Sequence, residues 1–225
     1  KASLASGRNV SDITVIGVTK NHPAEYIKAS LELGINNIGE SYIQEAVKKN
    51  QDLKLIISPE EYQKINWHFI GNMQTNKIKH LRDSFTFLHS IDNQRQIDEI
   101  NKRFTNKTNI FLEINVGNED NKGGINIDET RYLLELIMKT NESRKVKLLP
   151  EIELKGLMCI PPANDNPEFS RQYFKMLKNG MEILNQEFSL KMDSLSMGMS
   201  NDFDIAIEEG STHVRIGTLL YGERV

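Results

Sequence analysis

Short apolar segments rich in β-branched residues alternate with longer segments of helical period along almost the whole chain. Eight such segments predict strands, at residues 13–18, 37–39, 67–70, 85–91, 110–116, 152–160, 195–197 and 214–216. This alternation is typical of parallel strands that are joined by crossover helices. Because these units fill a chain of 225 residues, the sequence predicts an α/β fold in which a single (β/α)8 TIM barrel is formed.

The main alternative is an open, doubly wound sheet. That fold is disfavoured because no Gly-x-Gly-x-x-Gly follows the first predicted strand. A helix is predicted to begin near Pro23 and to stop at Gly34, and another is predicted over residues 203–209. Residues 161–167 predict a loop, and residues 141–150 predict a surface connection.

Charge and hydropathy exclude several classes of function. The net charge of −3 comes without a basic stripe, which argues against binding to nucleic acid. No apolar run approaches the roughly 20 residues that span a bilayer. Cys159 is the single cysteine and lies in an apolar run, which predicts a buried structural thiol in a reducing, cytoplasmic setting. No cluster of cysteine and histidine has metal-ligand spacing, so no metal site is predicted.

Lys20 follows the first predicted strand, after Val18 and Thr19. Active sites of such barrels lie at the C-terminal ends of the strands, so this lysine is predicted to face the barrel mouth. Partial desolvation there would lower its pKa and make the amine a nucleophile toward an aldehyde. A solvated lysine in a loop is the alternative, and position alone does not decide between the two.

The loops after the last two predicted strands carry groups that suit a phosphate. Ser200 stands before the predicted helix, where it could be the N-cap or turn its hydroxyl toward an anion. Gly217 permits close backbone approach and Thr218 adds a hydroxyl. Together with Lys20, the two loops indicate a carbonyl compound that bears a phosphate.

Seven motifs occur in order along the chain and resemble those of one known family. They are Val18-Thr19-Lys20, Gly39-Glu40-Ser41-Tyr42-Ile43-Gln44-Glu45, Trp67-His68-Phe69-Ile70-Gly71-Asn72-Met73-Gln74-Thr75-Asn76-Lys77, Leu154-Lys155-Gly156-Leu157-Met158, Leu195-Ser196-Met197-Gly198-Met199-Ser200, Val214-Arg215-Ile216-Gly217-Thr218 and Tyr221-Gly222-Glu223-Arg224. The chain resembles the pyridoxal 5′-phosphate (PLP) homeostasis proteins, which are similar to the barrel domain of alanine racemases. The resemblance implies a barrel of the alanine racemase N-terminal-domain type over residues 1–225, with PLP as its cofactor.

The resemblance also implies a role for each site residue. Lys20 would hold PLP as a Schiff base, while Ser200, Gly217 and Thr218 would hold its phosphate. Arg215 would face the pyridine nitrogen and, as a permanent donor, weaken the ring as an electron sink. The full predicted cofactor-binding set is Lys20, Ser41, His68, Met197, Ser200, Arg215, Gly217 and Thr218, with no residue in a catalytic role.

Some of these assignments have structural alternatives. The family usually has asparagine where Ser41 stands, so a hydroxyl would replace an amide beside the cofactor. His68 could stack or transfer a proton, or it could be an inward-facing histidine within the barrel. Met197 is equally suited to packing, and Arg215 could form an ion pair with a carboxylate such as Glu40.

Lys122 is a further lysine that the fold would place on the active face, because it follows the fifth predicted strand. It could receive PLP as a second amine. A solvated lysine at the rim is the simpler interpretation.

Three functions fit these residues. The first is a PLP-binding protein of cytoplasmic PLP homeostasis, a monomer without conventional turnover that could pass PLP to apoenzymes. The second is an amino-acid racemase or related enzyme, but Lys20 supplies only one of two bases and the sequence to Val225 leaves no room for the racemase β domain. The third is a Schiff-base aldolase acting on a phosphorylated sugar, which explains Arg215 less well.

Overall fold

Eight parallel strands form a closed barrel in chain order, with the last strand paired to the first. The structure is a computed structural model that describes residues 2–147, 149 and 152–223. The strands are β1 Thr14–Val18, β2 Asn37–Glu40, β3 Asn66–Phe69, β4 Phe87–Ile91, β5 Thr108–Glu113, β6 Ile152–Met158, β7 Ser194–Met199 and β8 His213–Ile216. The predicted barrel is confirmed, and each strand lies where the sequence predicts one, with ends that differ by no more than three residues.

Helices cover the outside of the barrel. They are α1 Ala2–Ala5, α2 Ala24–Glu32, α3 Ile43–Leu53, α4 Pro59–Gln63, α5 Gln94–Arg103, α6 Ile127–Val146, α7 Arg171–Phe188, α8 Phe203–Glu208 and α9 Thr218–Tyr221. Pro23 is the N-cap of α2, and Gly34 follows its end with a φ of 79°, a left-handed conformation that favours glycine. The helix predicted over residues 203–209 is confirmed as α8. None of the described helices has the length and apolar character needed to cross a membrane.

The predicted surface connection over residues 141–150 is wrong in its first part, because α6 continues to Val146. Arg144 is buried there and donates from Nη2 to the carbonyl oxygen of Phe104 at 2.9 Å. This contact joins the last turns of α6 to the end of α5. The polar residues 141–146 are therefore helical and do not form a connection. The loop predicted over residues 161–167 is confirmed, although Pro167 already begins a 3₁₀ turn. Of the predicted connection, residues 148 and 150 lie outside the described residues.

The barrel interior holds a group of aromatic and histidine rings. His213 of β8 lies 5.3 Å from the ring of Phe111 on β5 and 6.2 Å from that of His68 on β3, centroid to centroid. Because β8 is not adjacent to β3 or β5 in the closed barrel, these rings meet across its interior. The lower part of the barrel is therefore filled by side chains, as expected for a small barrel.

Candidate functional site

A cavity of about 350 Å³ opens at the C-terminal ends of the strands. This is the end of a (β/α) barrel at which active sites lie. Six of the predicted site residues line the cavity: Lys20, Ser41, Ser200, Arg215, Gly217 and Thr218. A larger depression of about 780 Å³ lies on the outer surface between α6 and α7, and its lining contains none of the predicted residues.

The backbone on both sides of Lys20 is held by charged side chains of α3. Lys49 donates from Nζ to the carbonyl oxygen of Thr19 at 2.7 Å. Glu45 accepts at Oε1 from the backbone N–H of Asn21 at 2.6 Å, and Asn21 has a left-handed φ of 63°. Because the backbone on both sides of Lys20 is hydrogen-bonded to α3, the direction in which the Lys20 side chain extends from the barrel wall is fixed.

Beneath Lys20 lies a buried ion pair between Lys49 and Glu40. Lys49 Nζ is 2.7 Å from Glu40 Oε1, and their side chains are only 5% and 0% exposed. Thr19 donates from Oγ1 to the same carboxylate oxygen at 2.5 Å. Burial raises the pKa of Glu40, while the charge of Lys49 and its hydrogen bond act in the opposite direction. Glu40 therefore forms its ion pair with Lys49, and the alternative in which it pairs with Arg215 is wrong.

Arg215 is buried and reaches the cavity from β8. Its Nη1 donates to the carbonyl oxygen of Ser196 at 2.7 Å and to the hydroxyl of Ser196 at 2.8 Å. Its Nη2 donates to the carbonyl oxygen of Cys159 at 2.8 Å. Burial lowers the pKa of Arg215, while the carboxylates of Glu113 and Asp202 act to raise it. These bonds fix the plane of the guanidinium against the cavity wall.

The loops after β7 and β8 meet at the cavity. Ser200 Oγ accepts a hydrogen bond from the backbone N–H of Leu219 at 3.3 Å. Of the two roles predicted for Ser200, the helix N-cap is excluded, because α8 begins at Phe203 and Asp202 occupies the N-cap position. Asp202 is held in place by the hydroxyl of Ser170, which donates to Oδ2 at 2.9 Å. The hydroxyl of Ser200 therefore lies between the two loops.

His68 and Met197 do not line the cavity. Both are fully buried, Met197 in the apolar core and His68 inside the barrel, where its ring stacks on Phe87 at 4.3 Å. His68 is hydrogen-bonded through Nδ1 to His89 Nε2 at 2.9 Å and through Nε2 to Asn37 Oδ1 at 3.1 Å. This is the inward-facing arrangement that was the alternative for His68.

Other residues of this end complete the site. Burial raises the pKa of Cys159 to about 12, and the predicted buried thiol is confirmed. Glu113, at the end of β5, has a pKa raised to about 7 by burial and by the carboxylate of Asp92. Lys122 lies on the same face, where Nζ pairs with Glu119 Oε2 at 2.6 Å and donates to the carbonyl oxygen of Pro161 at 3.2 Å. It is therefore attached to the rim of the cavity.

Sequence reasoning missed the two residues that connect His68 to Arg215. His89 and Ser196 are both fully buried, and His89 Nδ1 lies 2.9 Å from Ser196 Oγ across the barrel. The alternation of Phe87 and His89 along β4 was a signal that these two side chains share one face.

Comparison with known proteins gives consistent results. The family model described as "Alanine racemase, N-terminal domain" matches residues 8–225. A pyridoxal phosphate homeostasis protein of Aquifex aeolicus is 40% identical over 227 residues, which cover 100% of this chain and 92% of that relative. The relative of the same name from Escherichia coli is 31% identical and is covered to 91% of its length.

Solved structures agree with the sequence relatives. PipY of Synechococcus elongatus, solved with PLP bound, superposes with a TM-score of 0.78 at 27% identity, over 98% of this chain and 97% of that one. An alanine racemase of Bacillus anthracis gives a TM-score of 0.63 at 19% identity, over 99% of this chain and 54% of that one, and so shows a shared fold only. The chain therefore belongs to the alanine racemase N-terminal domain family, within which its relatives include the pyridoxal phosphate homeostasis proteins.

Proposed function

We propose that this chain binds PLP through Lys20 and takes part in intracellular PLP homeostasis, without conventional catalytic turnover. One observation carries the proposal. Lys20 shares a single cavity with the hydroxyls of Ser200 and Thr218 and with the guanidinium of Arg215, at the functional end of the barrel. The names of the relatives and the PLP bound to PipY support the same assignment.

The residues of the cavity fit PLP in charge and size. Its volume of about 350 Å³ lies within the roughly 300–1,000 Å³ of small-molecule pockets. Two cationic side chains, Lys20 and Arg215, and two hydroxyls face an anion-bearing ligand. The apolar wall formed by Ile70, Pro161 and other residues suits an aromatic ring. We propose residues 1–225 as one PLP-binding barrel domain.

Each polar residue then has one task. PLP, when bound, supplies an aldehyde that reacts with primary amines. Lys20 provides the amine, and α3 fixes its direction through the backbone of Thr19 and Asn21. Ser200, Thr218 and the backbone at Gly217 provide donors for the phosphate. Arg215 donates toward the ring nitrogen and keeps that nitrogen unprotonated, because a guanidinium can only donate.

Ser41 belongs to the cavity wall beside Lys20, whereas His68 and Met197 are left out of the proposed contact set because they lie outside the cavity. We propose a cytoplasmic monomer that delivers PLP to apoenzymes and has no nucleic-acid or membrane partner. An arginine at the ring nitrogen supports carriage, since it disfavours a full carbanion.

The test measures transfer and turnover on the same preparation. The holo-protein should pass PLP to an acceptor apoenzyme, and it should exchange no α-protons of common amino acids with deuterated water. Lys20→Ala should abolish loading, whereas Lys122→Ala, a matched lysine of the same rim, should retain it. Fast α-proton exchange that depends on Lys20 would replace the carrier function with that of an enzyme.

A further inference from the structure

A continuous chain of buried hydrogen bonds crosses the barrel and ends at Arg215. It starts at Asn37 on β2, whose Oδ1 lies 3.1 Å from His68 Nε2. His68 Nδ1 lies 2.9 Å from His89 Nε2, and His89 Nδ1 lies 2.9 Å from Ser196 Oγ. Ser196 Oγ in turn accepts from Arg215 Nη1 at 2.8 Å. Because β4 and β7 are not neighbours, the link between His89 and Ser196 spans the barrel interior.

Burial favours the neutral form of both histidines in this hydrogen-bond chain. His68 and His89 are fully buried, and burial lowers the pKa of each well below its ordinary value. The charge of Arg215 acts on His89 in the same direction. A neutral imidazole has one donor and one acceptor nitrogen, so each ring can pass a hydrogen bond in only one direction.

Arg215 and Asn37, at the two ends of this hydrogen-bond chain, set the direction in which its hydrogen bonds are donated. Arg215 can only donate, so Ser196 Oγ accepts from it and is free to donate its own proton to His89 Nδ1. His89 then donates from Nε2 to His68 Nδ1. His68 carries its proton on Nε2 and donates to the side-chain amide oxygen Oδ1 of Asn37. Every donor along this route has one acceptor, which makes the arrangement self-consistent.

This hydrogen-bond chain determines which N–H groups of Arg215 remain available to a ligand in the cavity. Its bonds to Ser196 and Cys159 use three of the five N–H groups of a guanidinium and leave two for a ligand. Both N–H groups of Nη1 are used by Ser196 and one of Nη2 by Cys159, so the donors that remain on this cavity-lining side chain are Nε–H and the second N–H of Nη2.

We propose that His89 and Ser196 are positioning residues for Arg215, and that their one-directional hydrogen-bond chain aims its free donors at the acceptor atom of the bound ligand. The inference rests on the proposed function, in which that acceptor is the ring nitrogen of PLP. His68 and Asn37 act one step further away, since they hold His89 in the tautomer that the chain requires.

The direction of the chain can be tested on protein without PLP. NMR spectra of ¹⁵N-histidine-labelled protein should show His68 and His89 as neutral rings, each protonated at Nε2. A proton on Nδ1 of either ring, or a charged ring at neutral pH, would overturn the proposed direction. This measurement needs no variant and no ligand.

The effect on the ligand is tested with Ser196→Ala. We expect PLP affinity to fall about tenfold, the loss of one hydrogen bond to a charged group, and the absorption maximum of bound PLP to shift. Ser196→Thr retains the hydroxyl and should restore both values. Ser194→Ala is the matched control, because Ser194 lies on the same strand and its hydroxyl donates only to Asp193 within the described residues.

The two proposals fail in different ways. Absence of PLP binding by the unaltered protein would overturn the proposed function. Unchanged affinity and spectrum in Ser196→Ala, with binding intact in the unaltered protein, would overturn the positioning role of Ser196 and His89.

Discussion

Replacing Lys49 by methionine removes the cation that neutralises a carboxylate inside the barrel wall. Lys49 makes three charged hydrogen bonds, to Glu40 at 2.7 Å, Glu45 at 2.9 Å and the carbonyl of Thr19 at 2.7 Å. The variant leaves Glu40, with 0% exposure, without its counter-ion. Breaking a buried pair from one side costs about 3–5 kcal/mol, so the free energy of unfolding should fall by that amount at pH 7.

The pH dependence of this loss follows from the protonation of Glu40. Neutralising a carboxyl whose ordinary pKa is 4.5 costs about 3 kcal/mol at pH 7, at about 1.4 kcal/mol for each pH unit. In Lys49→Met the carboxyl would be protonated in the folded state, so the loss should shrink by about 2.5 kcal/mol between pH 7 and pH 5. Urea unfolding of the variant and of the unaltered protein at pH 7 and pH 5 measures this change in the free energy of unfolding.

Lys48→Met is the matched control on the same helix. Lys48 pairs with Asp52 at the surface, where the side chains are 76% and 46% exposed, and an exposed pair contributes about 0–1 kcal/mol. Equal losses in Lys48→Met and Lys49→Met, or a loss in Lys49→Met that does not change with pH, would show that Glu40 does not depend on Lys49 as its counter-ion. Because Lys49 also holds the backbone of Thr19, PLP loading at Lys20 should weaken in the same variant.

Two further predictions concern the phosphate loops and the carboxyl at the end of β5. The double variant Ser200→Ala, Thr218→Ala should weaken PLP retention by about 1.5–3 kcal/mol for each lost charged hydrogen bond, as equilibrium dialysis would measure, whereas Thr105→Ala, at an exposed site outside the cavity, should not. For Glu113 the folded pKa of about 7 exceeds the ordinary 4.5, so its contribution to stability is full below pH 4.5 and is lost as the pH rises to 7, by about 3 kcal/mol. Glu113→Gln should remove this slope from a series of denaturant titrations, and an unchanged slope would contradict the assignment.

The positions of Lys20 and Arg215 could be predicted from the sequence for a simple physical reason. Both lie at or near the ends of short apolar runs, and in a parallel barrel all such ends meet at one face. The same rule places Ser200 and Thr218 beside them. The order of residues along the chain and the type of fold were sufficient to predict that these four residues lie at one end of the barrel.

The positions of His68 and Met197 relative to the cavity could not be predicted in that way. Barrel strands are buried on both faces, so the period of two that separates inside from outside carries little contrast. His68 lies on β3 and Met197 on β7, and neither depth within the barrel nor distance from the mouth can be read from the order of residues. The link from His89 to Ser196 joins residues 107 positions apart and depends on closure of the barrel.

Tertiary contacts also decided two local elements. The N-cap of α8 is Asp202 instead of Ser200, and Asp202 bonds to Ser170, 32 positions earlier in the chain. The last turns of α6 persist because Arg144 bonds to the backbone of Phe104. Both sequences contain polar residues that would equally suit a loop, and only the packed neighbour distinguishes the two outcomes.

We propose Lys20 as the attachment point of PLP. The most direct test loads the protein with PLP, reduces it with borohydride and maps the pyridoxyl group by mass spectrometry of proteolytic peptides. The label is expected on the peptide that contains Lys20, and it should be lost in Lys20→Ala. Recovery of the label mainly on Lys77 or Lys122 would show that PLP attaches at a lysine other than Lys20.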